Sequence, residues 1–162
     1  MDATSHASAN AGFDALLGLE LIELTPEHGR ARLIMGPQHR QPFGLVHGGV
    51  YASIAESLAS YTTGVAVLGD GKVATGLSNQ TSFLRPVTGG TIHAEAIRKH
   101  AGRTTWVWEV EMSDDEGRLC AISRMTLAVR DAPPAVIEQV RENASAAVIA
   151  SRRPADDADQ AV

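Results

Sequence analysis

Apolar and polar positions alternate with a period of two through most of the second half of the chain, and a helical period takes over in three places. At 31–35, Ala31, Leu33 and Met35 alternate with Arg32 and Ile34. Together with 20–24, and with Thr25-Pro26-Glu27-His28-Gly29 between them, this predicts a hairpin. Strand patterns follow at 73–84, 91–99, 104–113 and 119–129, separated by turn-forming residues at 86–90, Ala101-Gly102 and Asp114-Asp115-Glu116-Gly117. The longest helical pattern is 49–68. Its apolar residues Val50, Ile54, Ala55, Leu58, Ala59, Tyr61 and Val65 wrap past a single stripe, which predicts a helix enclosed by the core. Phe13-Asp14-Ala15-Leu16-Leu17, closed by Gly18, predicts a short helix over one end of that core, and 134–150 predicts a C-terminal helix starting on a proline. Strands joined by short turns pair antiparallel and leave no room for βαβ crossovers. The expected class is therefore α+β, a single domain whose sheet of five to six strands curls around one long helix.

Length and composition narrow this picture. A chain of 162 residues fits one core. The expected organisation is a folded body over 12–131, a helix within 132–150, and disordered ends at 1–11 and 151–162, where small, polar and charged residues bury little apolar surface. The net charge of −5 is scattered, so no basic stripe points to nucleic acid and no polybasic cluster to a membrane. The start has neither the basic nor the apolar region of a secretory signal, and no window of about 18 apolar residues occurs, so a cytoplasmic location is expected. The single cysteine, Cys120, lies in an apolar strand and is expected to be buried and inert.

The chemistry concentrates in 41–60. Glu56 stands among Ile54, Ala55, Leu58 and Ala59, and a carboxylate withdrawn from water is costly unless paired, hydrogen-bonded or used. Two readings stay open: a catalytic carboxylate, or a glutamate in a polar seam that meets a subunit interface or an arginine. Ser53 and Ser60 lie one turn before and after Glu56, where their hydroxyls are placed to hold a water. His47-Gly48-Gly49 precede the helix. Glycines there let backbone N–H groups approach a ligand carbonyl, and the helix dipole favours negative charge, which is the layout of an oxyanion hole. His47 alone also reads as a histidine bonding backbone at a loop–helix junction, and Gln41 alone as a loop amide. His39, His47, His93 and His100 form no i,i+4 pair, no HExxH and no set with a cysteine, so no metal site is expected. Neither a Gly-x-Ser-x-Gly elbow nor a Walker motif is present.

Gly44-Leu45-Val46-His47-Gly48-Gly49 followed by Ala55-Glu56 resembles the hotdog-fold thioesterases of the phenylacetate-pathway (PaaI) type. Ser78-Asn79-Gln80-Thr81-Ser82-Phe83-Leu84-Arg85-Pro86-Val87, His100-Ala101-Gly102-Arg103-Thr104-Thr105-Trp106-Val107-Trp108 and Gly117-Arg118-Leu119-Cys120-Ala121 resemble the Arthrobacter-type 4-hydroxybenzoyl-CoA thioesterases, and the likeness spans about 18–130. The resemblance implies hydrolysis of an acyl-CoA, with Glu56 as nucleophile or general base. It implies that the Gly48 amide polarises the thioester carbonyl and that Ser60 helps to position water. Gln41 and His47 would orient the carbonyl and assist departure of the thiolate. Arg85 would contact CoA phosphate, as guanidinium groups do well, and Arg103 and Thr104 would meet the nucleotide, with Arg103 standing where that group has serine. Ser57, Pro42-Phe43 and the chain beyond Arg130 also depart from the pattern. The resemblance further implies hotdog dimers paired into a homotetramer, with acyl-CoA as the ligand and no separate cofactor. Competing readings are a hotdog hydratase or dehydratase and a non-catalytic acyl-CoA-binding module.

Overall fold

A computed structural model describes residues 12–151, so the expectations for 1–11 and for 152–162 lie outside the described residues. Helix α1 (Phe13–Leu17) leads into strands β1 (Leu19–Leu24) and β2 (His28–Ile34), then the long helix α2 (Gly48–Val67). Strands β3 (Lys72–Phe83), β4 (Thr91–Ala101), β5 (Thr105–Ser113) and β6 (Leu119–Asp131) follow, and helix α3 (Pro134–Ser151) ends the described chain. The six strands form one antiparallel sheet in the order β1-β2-β4-β5-β6-β3.

The alternation in sequence sets the two faces of this sheet. Ala31 and Leu33 of β2, Ile92, Ala94 and Ala96 of β4, Trp108, Val110 and Met112 of β5, and Met125 and Leu127 of β6 are buried against Ile54, Ala55, Leu58 and Ala59 of α2. At about 1.5–3 kcal/mol per large apolar side chain, this contact is the main term holding helix to sheet. A buried polar bond also crosses it: the Trp108 indole N–H donates to Thr63 Oγ1 at 2.8 Å. Cys120 is fully buried, its thiol pushed up by burial, and it donates to the Arg118 carbonyl at 3.1 Å. No described helix is long and apolar enough to cross a membrane.

Two expectations change. The first hairpin turn is shorter than the sequence pattern implies, because His28 and Gly29 already belong to β2. Thr25 closes the turn, its Oγ1 accepting the His28 N–H at 2.9 Å and its own N–H reaching the His28 carbonyl at 2.8 Å. Helix α2 is not enclosed on all sides: the sheet covers one side only, leaving Glu56 exposed and Val65 49% exposed.

Part of the open side is covered by α1. Gly18, at φ 74°, ends that helix in the left-handed conformation that glycine tolerates. The Asp14 carboxylate then accepts from Ser57 Oγ at 2.6 Å and from the Tyr61 hydroxyl at 3.0 Å. Burial first, and then the Asp14 charge, push the Tyr61 phenol up to about 12. Burial likewise pushes Tyr51 up to about 12. Raised phenol values mean that the native state favours the protonated form. This contribution to stability is complete below the ordinary value of about 10 and is lost as pH rises through about 12. The chain has only 2 tyrosines. An alkaline titration followed by tyrosinate absorbance is therefore expected to show almost no signal at pH 10 in the folded protein and about half of the full signal at that pH after denaturation.

Candidate active site at the start of the central helix

The loop before α2 is built on a histidine. His39 is buried; its Nδ1 accepts the Gly36 N–H at 2.9 Å, its Nε2 donates to the Leu17 carbonyl at 2.8 Å, and its own carbonyl accepts the His47 N–H at 2.8 Å. Sequence reasoning weighed His39 only as a metal ligand and missed this anchoring role, for which the sequence offers no distinguishing signal. Between His39 and His47 the chain makes a tight reversal, with the Gln41 N–H on the Leu45 carbonyl at 2.8 Å and the Gly44 N–H on the Gln41 carbonyl at 2.9 Å. Gly44 sits at φ 81°, a conformation that explains its residue type. Gln41, half-buried, thereby lies at the base of the loop that delivers His47.

His47 is the N-cap of α2, and its Nδ1 accepts the Gly49 N–H at 2.9 Å. The Val50 N–H is taken by the His47 carbonyl at 2.9 Å. These bonds satisfy two of the first-turn amides and leave the Gly48 N–H without an acceptor among the described residues. Because Nδ1 accepts, the neutral imidazole carries its proton on Nε2, so the exposed ring presents an N–H donor beside the Gly48 amide. His47 thus bonds backbone at the loop–helix junction and leaves its other ring nitrogen facing outward.

Phe83, the last residue of β3, lies against Gly48; a Cβ added there would come within 2.7 Å of the Phe83 ring, so only glycine permits this approach. The ring is 59% exposed and leans on Tyr51 of α2, with centroids 6.1 Å apart and planes tilted by 41°. Tyr51 is buried, and its hydroxyl has no hydrogen-bond partner among the described residues.

Glu56 lies two turns further along α2, with Ser60 one turn beyond it on the same face. Its carboxylate sits over Gly76 of β3, where a Cβ would be 3.5 Å from Oε1. The serine expected to flank it on the other side points elsewhere, since Ser53 Oγ donates to the Gly49 carbonyl at 2.8 Å. Eight residues of helix separate Gly48 from Glu56, about 12 Å along the axis, so no single carbonyl reaches both within one chain. Within one chain the candidate residues therefore form two separate sets, two candidate half-sites. One half has the donors Gly48 and His47 with Gln41 and Phe83; the other has Glu56 and Ser60.

The three residues expected at CoA are also split. Arg85 follows β3 at the end of the sheet where Phe83 pairs with Ala121, and it is exposed. Arg103 and Thr104 form the exposed β4–β5 turn at the opposite end, where Thr105 pairs with Ala128 and Lys72 with Asp131. The Thr104 carbonyl there accepts the Val129 N–H at 3.0 Å and Arg130 Nη1 at 2.7 Å.

Known proteins carry the same framework. Residues 43–121, from the loop to the start of β6, match the profile of the Thioesterase superfamily. The Proofreading thioesterase EntH of Cronobacter turicensis is 34% identical over 113 residues, 70% of this chain and 82% of its own length. The chain belongs to the thioesterase superfamily. Its fold is the hotdog of that superfamily: the structure of Rv1847/MT1895 from Mycobacterium tuberculosis superposes with a TM-score of 0.73 at 36% identity, covering 75% of this chain and 98% of that one. The thioesterase HI1161 from Haemophilus influenzae superposes with a TM-score of 0.70 at 32% identity, over 76% of this chain and 85% of that one. As a superfamily member the chain is a thioester hydrolase.

Proposed function

We propose that this thioesterase hydrolyses an acyl-CoA with an aromatic acyl group, 4-hydroxybenzoyl-CoA or a related aryl-CoA, to the free acid and CoA. The observation that carries the reading is the pair of half-sites: an amide without an acceptor beside a fixed N–H donor, and an exposed carboxylate that meets no cation, both among the described residues. The thioester carbonyl is taken to face the Gly48 N–H, with Gln41 and the His47 Nε2–H orienting it and easing departure of the thiolate. Glu56 attacks the carbonyl carbon or removes a proton from a water held by Ser60. The Phe83–Tyr51 pair beside Gly48 favours a flat acyl group, which stacks well on an exposed ring.

Joining the half-sites takes a second copy. β3 is an edge strand with Leu77 and Phe83 each 59% exposed, and such an edge invites pairing. Two β3 strands set antiparallel would bring the Gly48 end of one α2 towards the Glu56 of the other. They would also bring the Arg85 end of one chain towards the Arg103-Thr104 end of its partner, three strand spacings or about 15 Å across. An extended CoA spans such a distance, so Arg85, Arg103 and Thr104 are assigned to its phosphates across subunits. Pairing of these dimers into a homotetramer belongs to the same proposal.

The test is thiol release from a panel of aromatic and aliphatic acyl-CoAs, run beside a measurement of mass in solution. Faster turnover of aryl-CoAs by an oligomer supports the reading; binding of acyl-CoA without release of thiol would point instead to a binding module. His47 separates into two parts. His47→Ala removes both cap and donor, so stability falls by about 1 kcal/mol, the ordinary worth of an N-cap, and turnover falls as well. His47→Asn restores the cap and the melting temperature, while the rate stays low because the donor no longer reaches the carbonyl.

A further inference from the structure

Asn79 lies on the helix-facing row of β3, opposite Met125, just past a bulge at Leu77 that interrupts pairing with β6 between Gly76 and Ser78. Its Nδ2 donates to the Ala52 carbonyl at 2.9 Å. That carbonyl is also the one that the Glu56 N–H meets in the i→i−4 pattern of an α-helix. The orientation of the amide is fixed from behind, because Asn79 Oδ1 accepts from Thr81 Oγ1 at 2.8 Å and Thr81 in turn contacts the fully buried Ser123 hydroxyl. Reversed, the amide would set its oxygen against the Ala52 carbonyl, two acceptors facing each other.

Two contacts between β3 and α2 thus bracket Glu56. On one side of the bulge Gly76 supports the carboxylate; on the other Asn79 ties down the peptide that begins its helical turn. Bulges bend an edge strand and loosen its ladder, and here the loosened strand also carries the floor under Glu56. We infer that Asn79 is a positioning residue for Glu56: it latches β3 to α2 across the bulge and so fixes where the carboxylate stands relative to the bound thioester. This rests on the proposed role of Glu56 and assigns a function to a residue that touches neither substrate nor reacting atoms.

The experiment compares the wild type, Asn79→Asp, Asn79→Leu, Glu56→Gln and the Asn79→Asp/Glu56→Gln double variant, by thiol release and by thermal melting. Asn79→Asp keeps the shape and the acceptor for Thr81 but loses the donor to Ala52, so it carries the test if Asn79→Leu does not fold. A misplacement on the order of 1 Å costs about 10²-fold in rate. A drop of that size in kcat is expected, with KM within about twofold, since binding is not what the latch controls. The double variant is expected to be no slower than Glu56→Gln alone, because a positioning residue has nothing left to position. Wild-type kcat in folded Asn79→Asp, or a double variant slowed by the product of both factors, overturns the inference. Full activity in Glu56→Gln overturns it together with the proposed mechanism, whereas an inactive Glu56→Gln beside fully active Asn79 variants overturns the latch alone.

Discussion

Glu56→Gln is expected to lower the turnover of an acyl-CoA by about 10²–10⁴-fold, the usual worth of a positioned base, without loosening the protein. Structure and activity separate cleanly at this position. Glu56 is exposed, and among the described residues it makes no hydrogen bond and no ion pair. Replacing it with its isosteric amide removes no native contact, and surface changes of that kind stay within about 0.5 kcal/mol of neutral. A loss of rate with an unchanged melting curve therefore belongs to the chemistry. The amide can neither attack the carbonyl nor remove a proton from water, while the Gly48 N–H and the His47 donor remain in place. KM should change little for the same reason. The measurement is steady-state thiol release beside a thermal melt, and a variant that keeps most of its rate would remove Glu56 from the mechanism. A single turnover of wild-type enzyme in isotopically labelled water then tests for the covalent route. Label in the Glu56 carboxylate marks an anhydride opened at the Glu56 carbon, whereas label only in the product acid is given both by general-base hydrolysis and by an anhydride opened at the acyl carbon.

In the sequence Glu56 reads as a buried acid, and in the structure it is exposed. A lone acid in a run of Ile54, Ala55, Leu58 and Ala59 looks withdrawn from water, yet periodicity cannot tell whether a sheet wraps a helix on one side or on all sides. One chain covers only one side of α2. The carboxylate is desolvated only if something outside the chain covers it, which is information about assembly that no local pattern holds. The strands were legible because apolar alternation is imposed by the two faces of the sheet, and the five-residue helix α1 because Gly18 marks its end. Legibility failed where a single side chain sets the geometry. Thr25 shortens the first turn, His39 anchors the loop by joining Gly36, the distant Leu17 carbonyl and His47, and Leu77 bulges out of β3, and the pattern of apolar positions marks none of the three. The Gly48–Phe83 contact belongs to the same group. The sequence marks the glycine as special but not the ring that requires it.

Gly29→Ala is expected to produce the largest loss of stability from the smallest change, about 1–3 kcal/mol for one added methyl group. At Gly29 β2 passes close against α2: a Cβ there would stand 2.3 Å from Thr62 Cγ2 and 3.0 Å from Leu58 Cδ1. Thr62 cannot turn aside. It is fully buried, and its Oγ1 is held by the Leu58 carbonyl at 2.8 Å and the Ala59 carbonyl at 3.0 Å, so rotating Cγ2 away would strand a buried hydroxyl. Relief must come from moving the strand, and β2 is paired on both edges, with β1 and with β4. For a chain of this size each kcal/mol lowers the melting temperature by roughly 2–4 °C. Thr62→Ser deletes the offending methyl and keeps the hydroxyl with both of its acceptors. The double variant Gly29→Ala/Thr62→Ser is therefore expected to melt above Gly29→Ala alone, even though Thr62→Ser by itself destabilises by removing a buried methyl group. Melting curves of the three variants decide the matter: destabilisations that simply add would mean that the strand, and not the Thr62 methyl, is what the alanine displaces.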